Sequence, residues 1–232
     1  MMSAILKSDQ REFKENPNTN NLIVDKIRKS EICEVAGVLA GAFKTNPAYS
    51  IIFQKENQRE DGLLWLFQTN LFILNRKQAL TNVIKEKTTG EIIGTLTVVP
   101  PQGVKRSLFV YSKIGIPRFI SKFGIKPLIR MLKLDDYNKA LLNESMKTSE
   151  YYYLHMVVVK EAYRGLGIGS FAVRYAVREL MASGPTCHLL GLTTQLPENT
   201  VFYSRLGFDK SDEGYVDFKG NKYYNCNMKL NL

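Results

Sequence analysis

The sequence predicts a mixed α/β domain, a mixed sheet with helices packed on it, organised around one strand–glycine loop–helix unit. Three observations lead there. The apolar run Tyr151–Val159 (YYYLHMVVV) reads as a long strand. After four further residues comes Arg164–Ser170 (RGLGIGS), in which three glycines alternate. From there Ile168, Ala172, Val173, Ala176, Val177 and Leu180 recur at helical spacing, with Ser170, Arg174 and Arg178 opposite.

The other elements follow in chain order. Residues 1–20 are polar, charged and asparagine-rich, which predicts a flexible tail ahead of a single domain over 21–232. Residues 21–27 (NLIVDKI) read as the first strand. Ser30 is placed as the N-cap of a helix that carries Ile32, Val35, Leu39 and Phe43 on one face. Residues 59–78 form a second, strongly apolar helical pattern. Strands are expected at 79–87 and 91–99, joined by the turn Thr88-Thr89-Gly90 and closed by Pro100-Pro101. Residues 103–149 differ in character. They hold ten Lys or Arg and short apolar helical patterns broken at Pro117 and Pro127, which predicts a helical insertion between the third and fourth strands, over one side of the sheet. After the central unit come a strand at 188–194, a short helix at 198–206, and two final strands around Lys219-Gly220-Asn221.

Composition narrows the function classes. Apolar residues at 44% and charged residues at 23% are the balance of a soluble globular domain. The formal charge of +10 points to an anionic partner: nucleic acid, a membrane surface or a phosphorylated cofactor. A solvated lysine-rich surface would account for the charge equally well. Cys33, Cys187 and Cys226 lie far apart with no CxxC pair, and His155 and His188 are the two histidines. Neither a disulfide framework nor a metal site is expected, which fits a reducing, cytoplasmic setting. No apolar stretch at the start suits a signal peptide, and no run reaches the roughly 20 residues of a membrane helix.

The glycine loop carries the most specific chemistry. A strand that feeds a helix through a glycine-rich turn leaves N–H groups unpaired at the positive end of the helix dipole, and phosphate is their natural guest. Glycine suits such a turn because a β-carbon would keep phosphate from the amides and because some positions need positive φ. The spacing GLGIGS matches neither GxxxxGK[ST] nor GxGxxG, so the triphosphate and dinucleotide patterns both fail. A tight strand-to-helix turn without a ligand is the plain alternative.

Here the sequence resembles the GNAT acyltransferase superfamily. The run from Val159 through Arg164, Gly165, Leu166, Gly167, Ile168, Gly169 and Ser170 is similar to that family's coenzyme A loop, with its [QR]-x-x-G-x-[GA] core. A second match, Asn199 to Tyr203 and on to Leu206-Gly207-Phe208, stands about 35 residues downstream and resembles the family's asparagine, tyrosine and "LGF" signature. The stretches AFKTNPAYS and ENTVFYSRLGF are similar to the group containing puromycin N-acetyltransferase. Asn199 stands four residues before the tyrosine, closer than in many relatives, and Glu161 stands where many carry proline.

The resemblance implies the GNAT acyl-CoA N-acyltransferase fold and acetyl-CoA as cosubstrate. The strand ending in Val157, Val158 and Val159 is expected to splay from its neighbour, so that the pantetheine amides pair with Val157 and Val159 while the pyrophosphate rests on Arg164–Ser170. Asn199 and Tyr203 complete the expected cofactor site.

Aminolysis of a thioester requires a neutral amine and a proton for the departing thiolate. Strand alternation puts Tyr151, Tyr153, His155 and Val157 on one face. The context Leu154-His155-Met156-Val157 resembles the "LHxLxV" of arylalkylamine N-acetyltransferases, which implies His155 as general base; an unperturbed imidazole with pKa about 6.5 is mostly neutral at pH 7. Tyr203 is the expected acid: a phenol near 10 against a thiol near 8.5 makes proton transfer uphill by only about 2 kcal/mol. A hydrogen-bonded core histidine and an aromatic packing residue are the plain alternatives, and His188 is read as structural. The expected acceptor is a primary amine of a small molecule, with a protein tail or a silent coenzyme A sensor as alternatives. A nucleic-acid module would leave the glycine loop unexplained. Membrane contact, suggested by Phe, Ile and Leu among Lys and Arg at 107–133, is not favoured. Monomer and homodimer both stay open.

Overall fold

The computed structural model describes residues 19–104, 115–147 and 149–232. Most of the expected tail (1–18) and residues 105–114 of the expected insertion lie outside them. Seven strands form one mixed sheet: β1 Leu22–Lys26, β2 Thr81–Glu86, β3 Ile92–Val99, β4 Tyr152–Val159, β5 Leu189–Thr194, β6 Asp209–Phe218 and β7 Asn221–Asn231. Their order across the sheet is β1-β2-β3-β4-β5-β7-β6. Every neighbouring pair is antiparallel except β4 and β5, which run parallel.

Helices cover both faces. On one lie α1 Ile32–Phe43, α2 Pro47–Ile52, α3 Glu56–Leu74, α4 Ile116–Phe123 and α5 Ile125–Ser145; on the other lie α6 Ile168–Ala182 and α7 Pro197–Ser204. Two buried clusters result. Leu39, Leu63, Phe67, Val83, Phe119 and Met156 fill the first; Ile84, Leu96, Leu154, Ala172, Leu190 and Met228 fill the second. The apolar stripe expected on the central helix is buried at Ile168, Ala172, Val173, Ala176 and Leu180.

Several local expectations are corrected. Ser30 does not cap α1; it lies inside a single 3-10 turn, Lys29–Glu31. Glu31 does the capping work, accepting the Arg28 backbone N–H at 2.7 Å and, with Asp25, pairing the buried Lys85 ammonium at 2.7 and 3.2 Å. The helix α2 was not expected. Asn46 caps it by accepting the Ala48 N–H at 3.0 Å, and Pro47 occupies its first turn, where no donor is needed. In the insertion the break falls at Gly124 (φ 83°), not at Pro127, because a proline in the first turn of α5 removes no helical hydrogen bond. α5 then runs across β5, β6 and β7, with Leu134 and Leu142 buried and the Tyr223 hydroxyl donating to Asn138 Oδ1 at 2.6 Å. The insertion thus roofs one face of the sheet's second half.

Candidate functional site

The parallel pair at the centre of the sheet is nearly unmade. β4 and β5 are in register only at Tyr152 with Leu190 and Tyr153 with Gly191, although β4 runs on to Val159 and β5 to Thr194. Their outer edges stay paired, β4 with β3 as far as Val159 and Gly94, β5 with β7 as far as Thr194 and Cys226. A wedge-shaped gap therefore opens from Leu154 onward, inside an otherwise continuous sheet.

Backbone polarity inside the gap follows from alternation. The Lys160 N–H donates to Ile93 C=O at 2.8 Å, on the β3 side. Val159 therefore turns its own N–H and C=O toward the gap, as Val157 does two residues earlier. Val158 is different: its carbonyl lies against Gly94 of β3, so among the three expected valines it supplies no free backbone group to the gap. Gly94 itself has no room for a side chain, since a β-carbon there would stand 2.8 Å from that carbonyl oxygen.

The expectation that Tyr151, Tyr153, His155 and Val157 share a face is corrected. Met156 adopts φ 53°, and the register with β3 shifts across it, two residues of β4 facing one of β3. This bulge reverses the alternation. Leu154 and Val157 both pack into the α6–α7 cluster, whereas Met156 and Val158 pack into the cluster under α1–α5. Tyr153 and His155 stay together on the α2–α5 side, their rings stacked 5.1 Å apart at 28°. Burial raises the Tyr153 phenol well above its ordinary range, with lesser contributions from Tyr49, Asp135, Tyr151 and Tyr203.

At the open end of the gap the glycine loop turns into α6. Gly165 (φ 78°) and Gly167 (φ 80°) are in the left-handed region, and no atom lies within 4 Å of where a β-carbon of Gly165 would stand. Backbone conformation calls for glycine at both. Gly169 answers to the other reason, since a β-carbon would approach the Phe202 ring to 3.3 Å. The first helical hydrogen bond is Phe171 N–H to Gly167 C=O at 3.0 Å. Among the described residues, the N–H groups of Gly165, Gly167, Ile168, Gly169 and Ser170 find no protein acceptor. Five donors at the positive end of a 15-residue helix make an anion cradle. Leu166 is exposed at the loop tip, the Ile168 side chain is buried, and Arg164 is exposed with Nε 3.4 Å from Val159 O. Glu91 tethers the turn before the cradle. It accepts Lys160 Nζ and the Tyr163 hydroxyl, each at 2.8 Å, and these bonds hold its carboxyl below the usual range.

Tyr203 lies on the α6–α7 side of the sheet, opposite the side that carries Tyr153 and His155. It is 9% exposed, packs edge-on to Phe202 and Phe208, and its hydroxyl has no hydrogen-bond partner among the described residues. Burial raises its phenol well above the ordinary value. Asn199 lies one turn earlier in α7, but its Nδ2 donates to Thr194 Oγ1 at 3.0 Å, tying α7 to the end of β5. His188 is exposed, and its backbone carbonyl accepts the Leu232 N–H at 2.9 Å.

One group escaped sequence reasoning. On the α2–α5 face, Asn46 Nδ2 donates to Gln195 Oε1 (3.4 Å), Gln195 Nε2 and Thr193 Oγ1 both donate to Asn225 Oδ1 (3.2 and 3.0 Å), and Asn225 Nδ2 donates to Asn227 Oδ1 (3.4 Å). Asn225 and Asn227 are 1% and 0% exposed, and Asn227 Nδ2 has no partner among the described residues. A buried donor left unpaired costs about 1–3 kcal/mol. The available signal was asparagine at alternate positions of a core strand (NCNM), where asparagine is disfavoured.

The model of the acetyltransferase (GNAT) family matches residues 45–208. The chain belongs to the GNAT acetyltransferase family. The gap, the glycine cradle and Tyr203 all fall inside the matched segment. Among solved structures, this GNAT chain is similar to a Corynebacterium glutamicum protein described as histone acetyltransferase HPA2 and related acetyltransferase (18% identity, TM-score 0.58, covering 90% of this chain and 95% of that one). It is similar also to arylalkylamine N-acetyltransferase 2 from Aedes aegypti (12%, TM-score 0.58, 91% and 99%). A third is the Drosophila melanogaster polyamine N-acetyltransferase (13%, TM-score 0.54, 91% and 100%). At these identities the likeness is one of fold. No curated protein matches the chain by sequence. Among the described residues no helix is long and apolar enough to cross a membrane.

Proposed function

We propose that this GNAT chain transfers an acetyl group from acetyl-CoA to the primary amine of a small molecule, as a single domain over residues 21–232. One observation carries the reading. The sheet opens between β4 and β5 immediately beside a glycine cradle with five outward N–H groups. Neither feature alone implies an acyl-CoA; a strand-sized slot ending in an anion site fits a pantetheine arm joined to a pyrophosphate.

Acetyl-CoA supplies an activated acyl carbon and a thiolate leaving group. Val157 and Val159 pair with the pantetheine amides, and Gly165–Ser170 with Arg164 hold the pyrophosphate. A backbone N–H on the β4 edge meets the thioester carbonyl and stabilises charge developing on oxygen. His155 accepts the proton that the acceptor nitrogen loses as the N–C bond forms. Tyr203 donates a proton to sulfur as the C–S bond breaks. The two lie on opposite sides of the sheet, which supports an acid and a base acting from opposite sides of one carbonyl. Burial raises the Tyr203 phenol, and the same desolvation would raise a departing thiol in the gap, so both shift in one direction.

The small-molecule preference rests on α5, which packs over β5, β6 and β7 on the face that carries His155. The resemblance to the puromycin N-acetyltransferase group points the same way. Thiol release from acetyl-CoA, measured with a panel of small amines, aminated antibiotics and peptides, is the test. Turnover confined to peptides refutes the small-amine choice; acetyl-CoA binding without turnover refutes catalysis.

A further inference from the structure

The geometry points to Gln195 as the acceptor-recognising residue, held by Asn225 and Asn227, and to an acceptor whose far end carries an uncharged hydroxyl or carbonyl oxygen. This rests on the transferase reading above and names its substrate class. Position comes first. Thr193 and Gln195 follow Gly191, the last β5 residue paired with β4, so they border the gap on the face that carries Tyr153 and His155. Asn227 is in register with Thr193, and Asn46 reaches Gln195 from the start of α2. Gln195 is half-buried, while the asparagines behind it are enclosed. Gln195 is thus the member of the network that can meet a ligand, and the asparagines fix the direction of its amide.

Chemistry comes second. Every member of this network is neutral, and three of its hydrogen bonds are 3.2 to 3.4 Å long. The chain of bonds ends on the unpartnered Nδ2 of Asn227. Amides can give to and take from an oxygen-bearing ligand by turning slightly, and a donor in reserve lets the network re-pair when one enters. A second cation would meet no carboxylate in this network to offset its desolvation, and Asp135, which bears on Tyr49 and Tyr153 from α5, is already paired with Lys139. The site therefore favours an amino alcohol or amino amide over a diamine.

The experiment uses matched linear amines of three to six carbons ending in hydroxyl, carboxamide, ammonium or methyl, with thiol release from acetyl-CoA as readout. The wild-type chain should prefer hydroxyl and carboxamide ends over ammonium and methyl by about tenfold or more in kcat/KM. Gln195→Met keeps the side chain's length and should erase that preference, raising KM for the hydroxyl- and carboxamide-ended amines toward that of the methyl-ended amine. Asn227→Leu removes one unpartnered donor but takes the acceptor from Asn225 Nδ2, exchanging one unpaired buried donor for another. It should leave melting temperature about level while raising KM for the hydroxyl-ended amine, a split that a merely structural role would not produce. A diamine preference, or the same preference in Gln195→Met as in wild type, overturns this inference and leaves the transferase standing. Acetyl-CoA binding with no turnover of any amine overturns both.

Discussion

Replacing Gly167 separates the two reasons for glycine in the cradle. Its φ of 80° and ψ of 0° are left-handed. Gly167→Ala therefore introduces backbone strain of about 1–2 kcal/mol, the cost of holding an L-residue in that region. At about 2–4 °C per kcal/mol for a chain of this size, the melting temperature should fall by about 2–8 °C. Gly167→Glu bears the same strain and adds a carboxylate at the N-terminus of α6. Two unit charges about 5 Å apart repel by about 1–3 kcal/mol at an effective dielectric between that of water and about 20. Since about 1.4 kcal/mol is tenfold in affinity, one phosphate charge alone weakens binding by about 5- to 150-fold, and a pyrophosphate by more. Titration calorimetry with acetyl-CoA on both variants, beside their melting curves, reads the two terms apart. Melting losses that are similar, or somewhat smaller for the glutamate at the positive end of α6, with a large affinity loss confined to the glutamate are expected. Equal affinity for the two, in folded protein, would refute the phosphate site.

Three further outcomes follow from the geometry. Tyr203→Phe deletes a hydroxyl that has no partner among the described residues, so acetyl-CoA affinity and melting temperature should hardly move while kcat falls about 10- to 1,000-fold; an unchanged kcat makes Tyr203 a packing residue. His155→Ala should lower kcat/KM most near neutral pH and recover as pH rises, because free amine and hydroxide then replace the base; a pH profile parallel to wild type returns His155 to the core. Glu91 has its carboxyl pKa lowered in the fold by Lys160 and Tyr163, so its tether is present above the ordinary carboxylate range and lost as pH falls through the folded value. Glu91→Gln should therefore melt below wild type at pH 6, with the two curves converging in acid; a constant difference across pH contradicts the tether.

The order of strands and helices was legible in the sequence because each buries one face, and periodicity records which residues that face holds. The glycine loop was legible too, since Gly165 and Gly167 answer a purely local demand of backbone conformation. Gly169 is different: its reason is Phe202, a residue of α7 that only folding brings near. The same divide runs through β4. Nothing in YYYLHMVVV marks Met156 as the residue that takes positive φ, because the bulge arises from fitting β4 to β3 while it parts from β5. That single residue puts Val157 on one face and His155 on the other. The gap itself is a pairing that does not form, and the amide network joins residues 46, 193, 195, 225 and 227 across two strands, a loop and the start of a helix. Local sequence determines conformation residue by residue; which edges meet, which stay apart and which side chains share a chamber depends on long-range packing, and only the tertiary structure decided it.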